Sequence, residues 1–84
     1  MIQLTIYSRP GCHLCEAMTA AVYRAARTAA VPVQIDEIGI STDADLEARY
    51  GLEIPVLLVD GRKTAKFRVS EDDVVRMLRD RTLK

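Results

Sequence analysis

The sequence predicts an α/β fold with elements in the order β-α-β-α-β-β-α. Three observations carry this. The alternating run Ile2-Gln3-Leu4-Thr5-Ile6-Tyr7 reads as a strand and precedes a run with apolar residues at helical spacing, Leu14, Met18, Ala21, Ala25 and Ala29. A second strand, Val31 to Ile38, follows at the distance of a right-handed parallel crossover. The apolar run Ile54 to Val59, the dipeptide Asp60-Gly61 and the charged run Arg62 to Phe67 then read as an antiparallel hairpin.

Taken in order, the first strand (residues 2–7) places Ile2, Leu4 and Ile6 on one face. The first helix, about residues 13–29, is rich in alanine, a good helix former, and its stripe Ala17, Ala21 and Ala25 permits close packing on a sheet. Pro32 fits only the start or edge of the second strand. Thr42-Asp43-Ala44-Asp45 opens a short helix that runs to Tyr50, with Leu46 and Tyr50 on one face and Gly51 as its stop. The run Ile54 to Val59 is continuous enough to be buried on both faces, whereas Arg62, Lys63 and Lys66 suit a sheet edge. Ser70-Glu71-Asp72-Asp73 resembles a capping box with Asp in place of Glu or Gln. The last helix turns Val74, Met77 and Leu78 inward and carries Arg76, Arg79, Arg81 and Lys84 in its final turns, which complement the helix dipole.

Composition narrows the function. A chain of 84 residues suits one domain, residues 1–84, with a modest core. Twelve basic and twelve acidic residues balance, so no general attraction to nucleic acid or anionic membrane follows. Three tyrosines, one phenylalanine and no tryptophan leave no basic-aromatic nucleic-acid motif. The N-terminal apolar run is too short for a signal peptide, and no stretch approaches a membrane span. The expected setting is the reducing cytoplasm, with neither nucleic acid nor membrane as partner.

The chemistry concentrates in Tyr7-Ser8-Arg9-Pro10-Gly11-Cys12-His13-Leu14-Cys15, which holds both cysteines of the chain. Pro10 and Gly11 punctuate the join between strand and helix. Cys12 therefore falls at or near the helix N-terminus, with Cys15 one turn along the same face. Free N–H groups and the positive end of the dipole favour the Cys12 thiolate, the form that attacks a disulfide. Cys15, with Leu14 and Met18 beside it, is expected to be more buried and to resolve the mixed disulfide. A Cys-x-x-Cys is also half of a zinc site, but zinc wants four ligands and the chain adds only His13, so no metal is expected. Inert thiols are the remaining option. His13 either lowers the thiol pKa as a partly protonated neighbour or points to solvent and does little; the second is favoured.

Element order and motifs together resemble the thioredoxin fold in its minimal, glutaredoxin-sized form, over nearly the whole chain. The residues that carry the resemblance are Tyr7 to Cys15, Ile54-Pro55, and Asp60-Gly61 ahead of Ser70-Glu71-Asp72. The nearest likeness is to the small glutaredoxin-like proteins of bacteria. It implies a single glutaredoxin-like domain: a four-stranded mixed sheet with helices on both faces. It implies that Pro55 is cis and lies against Cys12, and that Ile54 offers backbone hydrogen bonds to a substrate peptide or to glutathione. It implies further that Arg9 meets a glutathione carboxylate, though it is equally an ordinary exposed arginine, and that Ser70 and Glu71 receive the γ-glutamyl end. The sequence departs from glutaredoxins at His13, at Leu14, which replaces a tyrosine, and at Arg68-Val69, which replace Gly-Gly. Cβ atoms there hold a ligand off the helix start, so glutathione is expected to bind poorly.

The expected function is a dithiol–disulfide oxidoreductase acting on small-molecule or protein disulfides through Cys12 and Cys15. No bound cofactor is expected, and the reductant is glutathione or a thioredoxin-reductase-like flavoprotein. The alternative is a non-catalytic thioredoxin-fold module that binds a partner or senses redox state.

Overall fold

A computed structural model describes residues Met1 to Thr82. The elements are β1 (Ile2–Ser8), α1 (His13–Ala29), β2 (Val33–Gly39), α2 (Ala44–Tyr50), β3 (Val56–Val59), β4 (Arg62–Lys66) and α3 (Glu71–Thr82). The strands form one mixed sheet in the order β2-β1-β3-β4. β1 pairs parallel with β2 and antiparallel with β3, which pairs antiparallel with β4. This is the expected architecture, with its parallel crossover and its hairpin.

Alternation along β1 decides which helices lie where. Leu4 and Ile6 are fully buried and join Met18, Val22 and Ala25 of α1, Leu57 and Val59 of β3, and Val74, Val75 and Leu78 of α3 in the main core. The opposite face of β1 carries Tyr7, whose ring stacks on Tyr50 of α2 at 4.8 Å between centroids. Helices therefore cover both faces. β3 is buried at all four positions, as its unbroken apolar run requires, and β4 is an exposed charged edge.

Several boundaries differ from the expectation for local physical reasons. β2 begins at Val33, two residues late, because Pro32 has no N–H for the ladder; its carbonyl instead accepts from Ile2 at 3.3 Å. β3 begins at Val56, because Pro55 has no N–H to give the ladder; the Ile54-Pro55 peptide bond is cis. Leu14 and Ala17 face solvent, whereas Ala21 and Ala25 of the alanine stripe are buried. Cys15, Met18, Ala21, Val22 and Ala25 are the buried face of α1. Met77 is partly buried, and Val75 takes a core position beside Val74.

Gly51 ends α2 without the left-handed conformation expected of a terminal glycine, at φ −55° and ψ −32°. It is needed for space: a Cβ there would collide with the Glu47 carbonyl and with the Arg9–Glu47 ion pair. Asp60 and Gly61 both have positive φ, 49° and 83°, as the tight hairpin demands. Ser70 caps α3 by accepting from the Asp73 N–H at 3.0 Å. The capping box is only half made, because the Asp73 carboxylate turns to Arg76. Arg76, Arg79 and Arg81 lie on α3, whereas Lys84 lies outside the described residues.

Candidate active site

Pro10 and Gly11 carry the chain from the end of β1 to α1, with Gly11 at φ +73°. Extended backbone at Cys12 (φ −95°, ψ 109°) makes it the N-cap residue of α1. Its Sγ accepts from the Cys15 N–H at 3.1 Å, the bond an N-cap oxygen ordinarily receives. Cys12 thus sits where unpaired N–H groups and the helix dipole stabilise negative charge on sulfur.

Cys15, three residues on, is joined to Cys12 by a disulfide, with Cα atoms 5.2 Å apart. The two sulfurs are not equivalent in exposure. Cys12 is partly exposed and Cys15 is buried, at 4%. A disulfide partner from solvent therefore reaches Cys12 first. The burial of Cys15 was expected, but Leu14 does not supply it; the core residue Met18 lies on the same helix face.

A cavity of about 400 Å³ opens beside the disulfide, lined by Ser8, Arg9, Cys12, Cys15, Glu16 and Glu37 among others. Glu37 comes from β2, brought there by the register Ile6↔Glu37. It shares a strand face with Val33 and Ile35, which pack on the core. The Tyr23 hydroxyl donates to Glu37 at 3.3 Å, and partial burial followed by the Glu37 charge push that phenol's pKa up. Nothing in the local sequence pointed to Glu37, because its place depends on strand pairing. Glu16 was legible in principle, four residues after Cys12 on the same helix.

His13 is fully exposed, 3.8 Å from Glu16, in line with the solvent-facing reading. Arg9 lines the cavity but is held by Glu47 of α2, an ion pair between half-exposed groups. Pro55 is buried and cis. The pairing Tyr7↔Val56 puts it at the same end of the sheet as the Cys12 loop. Ile54 lies beyond the last ladder pair, so its backbone N–H and C=O are not committed to the sheet.

Ser70 lines a separate cavity with Arg68, Val69 and Asp73. The Glu71 carboxylate accepts from Arg24 at 2.9 Å and Thr28 at 3.3 Å, both on α1, and so fastens the two helices together. The residues singled out from sequence are thus not gathered in one cavity. Arg9, Cys12 and Cys15 share one, Ser70 lies in another, and Glu71 is engaged in helix packing. Among the described residues, no group of three or more His, Cys, Asp or Glu side chains is placed to hold a metal ion.

The model of the glutaredoxin-like domain family (DUF836) matches residues 3–79. The chain belongs to that family. Solved structures agree with the placement of this glutaredoxin-like chain. Protein XcR50 of X. campestris is 31% identical, with a TM-score of 0.70 over 92% of this chain and 96% of its own. Protein Ne2328 of Nitrosomonas europaea is 25% identical, with a TM-score of 0.76 over 92% of this chain and 91% of its own. A chloroplastic thioredoxin z shares only 10% identity but superposes with a TM-score of 0.80 over all of this chain and 80% of its own, a likeness of fold. No curated protein sequence matches significantly. Among the described residues, no helix is long and apolar enough to cross a membrane.

Proposed function

We propose that this chain is a thiol–disulfide oxidoreductase that cycles Cys12 and Cys15 between dithiol and disulfide and reduces disulfides of small molecules or proteins. The observation that carries the reading is Cys12 as the N-cap of α1, partly exposed, with buried Cys15 one turn on and within disulfide reach.

The steps balance as follows. The Cys12 thiolate attacks one sulfur of the substrate disulfide; a Cys12–substrate bond forms, and the second substrate sulfur leaves as thiolate and takes a proton. Cys15 gives up its proton and attacks the Cys12 Sγ. The Cys12–Cys15 bond forms, and the first substrate sulfur departs as thiolate, to be protonated in turn. Two electrons and two protons reach the substrate, and the protein is left as the disulfide. A thiol reductant, glutathione or a flavoprotein-driven dithiol, must then return it to the dithiol.

Turnover of hydroxyethyl disulfide, fed separately by glutathione with glutathione reductase and by thioredoxin reductase, tests the reading and identifies the reductant. The expected result is sustained NADPH oxidation with one of the two, abolished by Cys12→Ser. Cys15→Ser should accumulate a mixed disulfide at Cys12, visible by mass. Faster alkylation of Cys15 than of Cys12 in the reduced protein would reverse the roles. Absence of turnover from a prereduced protein would favour a binding or redox-sensing module.

A further inference from the structure

Resting on the oxidoreductase reading, we propose that its substrate is a polypeptide disulfide flanked by apolar and acidic side chains, docked on Phe67 and its basic neighbours. The chain's one phenylalanine is not in the core: Phe67 is 42% exposed. Its backbone has φ +69°, a region that disfavours a bulky L-residue. Two backbone hydrogen bonds hold it there. The Arg68 N–H donates to the Lys66 carbonyl at 2.8 Å, closing a three-residue γ-turn, and the Phe67 N–H donates to the Pro55 carbonyl at 2.8 Å. A strained backbone that exposes an aromatic ring is the reverse of what stability alone would select.

The second bond fixes where the ring is displayed. Pro55 stands at the sheet end that carries the Cys12 loop, so the γ-turn is attached directly to that end. Two more exposed apolar side chains belong to segments at the same end: Leu14 in the first turn of α1 and Leu52, 95% exposed, between α2 and Pro55. Exposed apolar residues on segments at the sheet end that carries a reactive disulfide point to a contact surface. Glutathione has no apolar side chain to place there, whereas a polypeptide has.

Charge supplies the rest of the specificity. Lys66 has its Nζ 5.5 Å from the centre of the Phe67 ring. Among the described residues neither Lys66 nor Arg68 has a carboxylate partner, although Lys63 on the same hairpin is tied to Glu53. Asp73 lines the cavity beside Arg68 but is turned to Arg76. Lys66 over the exposed ring and Arg68 next to it in the chain, neither held in an ion pair among the described residues, complement an acidic residue next to an apolar one.

The test uses prereduced protein in single turnover against disulfide-linked dimers of a short peptide with Asp and Leu beside its cysteine, the same peptide with Lys for Asp, glutathione disulfide and hydroxyethyl disulfide. The Asp peptide should react about tenfold faster than the Lys peptide, and faster than glutathione disulfide. Phe67→Gly accepts positive φ without strain, so its fold is kept. It should lower the ratio of the Asp-peptide rate to the hydroxyethyl disulfide rate about tenfold. Lys66→Glu with Arg68→Glu should reverse the Asp-over-Lys preference. Equal rates for the two peptides, preference for glutathione disulfide, or an unchanged ratio in Phe67→Gly would overturn the proposal. If wild type reduces none of the probes, the oxidoreductase reading fails. Docking is then judged by NMR titration with the Asp peptide carrying Ser for Cys: saturable shifts at Phe67 keep the surface, and their absence removes it.

Discussion

At the residue scale, Cys12 combines two duties. Its sulfur caps α1, and the same sulfur is the more exposed half of the disulfide. Sulfur is a weak acceptor compared with a hydroxyl oxygen, so serine should satisfy the Cys15 N–H at least as well. Cys12→Ser is therefore expected to lose the reaction but keep the helix. Reduced Cys12→Ala, with no cap, should be less stable than reduced Cys12→Ser by about 1 kcal/mol. Urea unfolding of both variants under reducing conditions measures the difference; equal midpoints would show that the cap contributes nothing.

At the element scale, the β3–β4 turn is more than a connection. The Asp60 carboxylate accepts from the Gln3 N–H at 2.9 Å and pairs with Arg81 of α3, so one side chain ties the turn to β1 and to the last helix. The Gln3 hydrogen bond first, and Arg81 after it, hold the Asp60 pKa below its ordinary value. A depressed folded pKa means that the unfolded chain takes up the proton first as acid is added. The stabilisation is fully present above the unfolded carboxylate pKa of about 4 and is lost as pH falls through the lower folded value. Asp60→Asn keeps a residue that tolerates positive φ but removes the charge. Wild type should exceed this variant in stability at neutral pH, and the gap should close in acid. Thermal unfolding of both proteins from pH 7 to pH 3 checks this; a gap that widens in acid would contradict the assignment.

On the scale of the whole molecule, the two sheet faces are unequally supported. α1 and α3 share the main core, whereas α2 buries no residue completely and is held by the Tyr7–Tyr50 stack and the Arg9–Glu47 pair. Leu78→Ala should cost about 2–5 kcal/mol, the range for a fully buried leucine. Tyr50→Ala should cost less, because the ring is only partly buried. Amide exchange should find α2 opening well below the global unfolding energy, with α1 and α3 near it. Equal protection of the three helices would mean that α2 is bound into the core more firmly than its burial implies.

Local sequence alone determined the element order, the parallel crossover, the hairpin with its positive-φ turn, and the helix-opening Cys-x-x-Cys. These depend on neighbours in sequence: alternation, helical spacing, and the φ preferences of Pro, Gly and Asp. Tertiary structure decided what depends on register and on which helix face turns inward. Leu14 and Ala17 read as core but point to solvent, because the face of α1 that meets the sheet starts at Cys15. Gly51 read as a conformational stop, but the Glu47 carbonyl, with the Arg9–Glu47 pair beside it, leaves no room there for a Cβ. Glu71 read as part of a helix start that receives a ligand, and what its carboxylate does was decided by α1, where Arg24 and Thr28 donate to it. Glu37 reached the cavity beside the disulfide through pairing with β1, and Phe67 reached the Pro55 end through a strained turn. No local pattern encodes these distances, because each is set by two segments far apart in sequence packing against a common sheet.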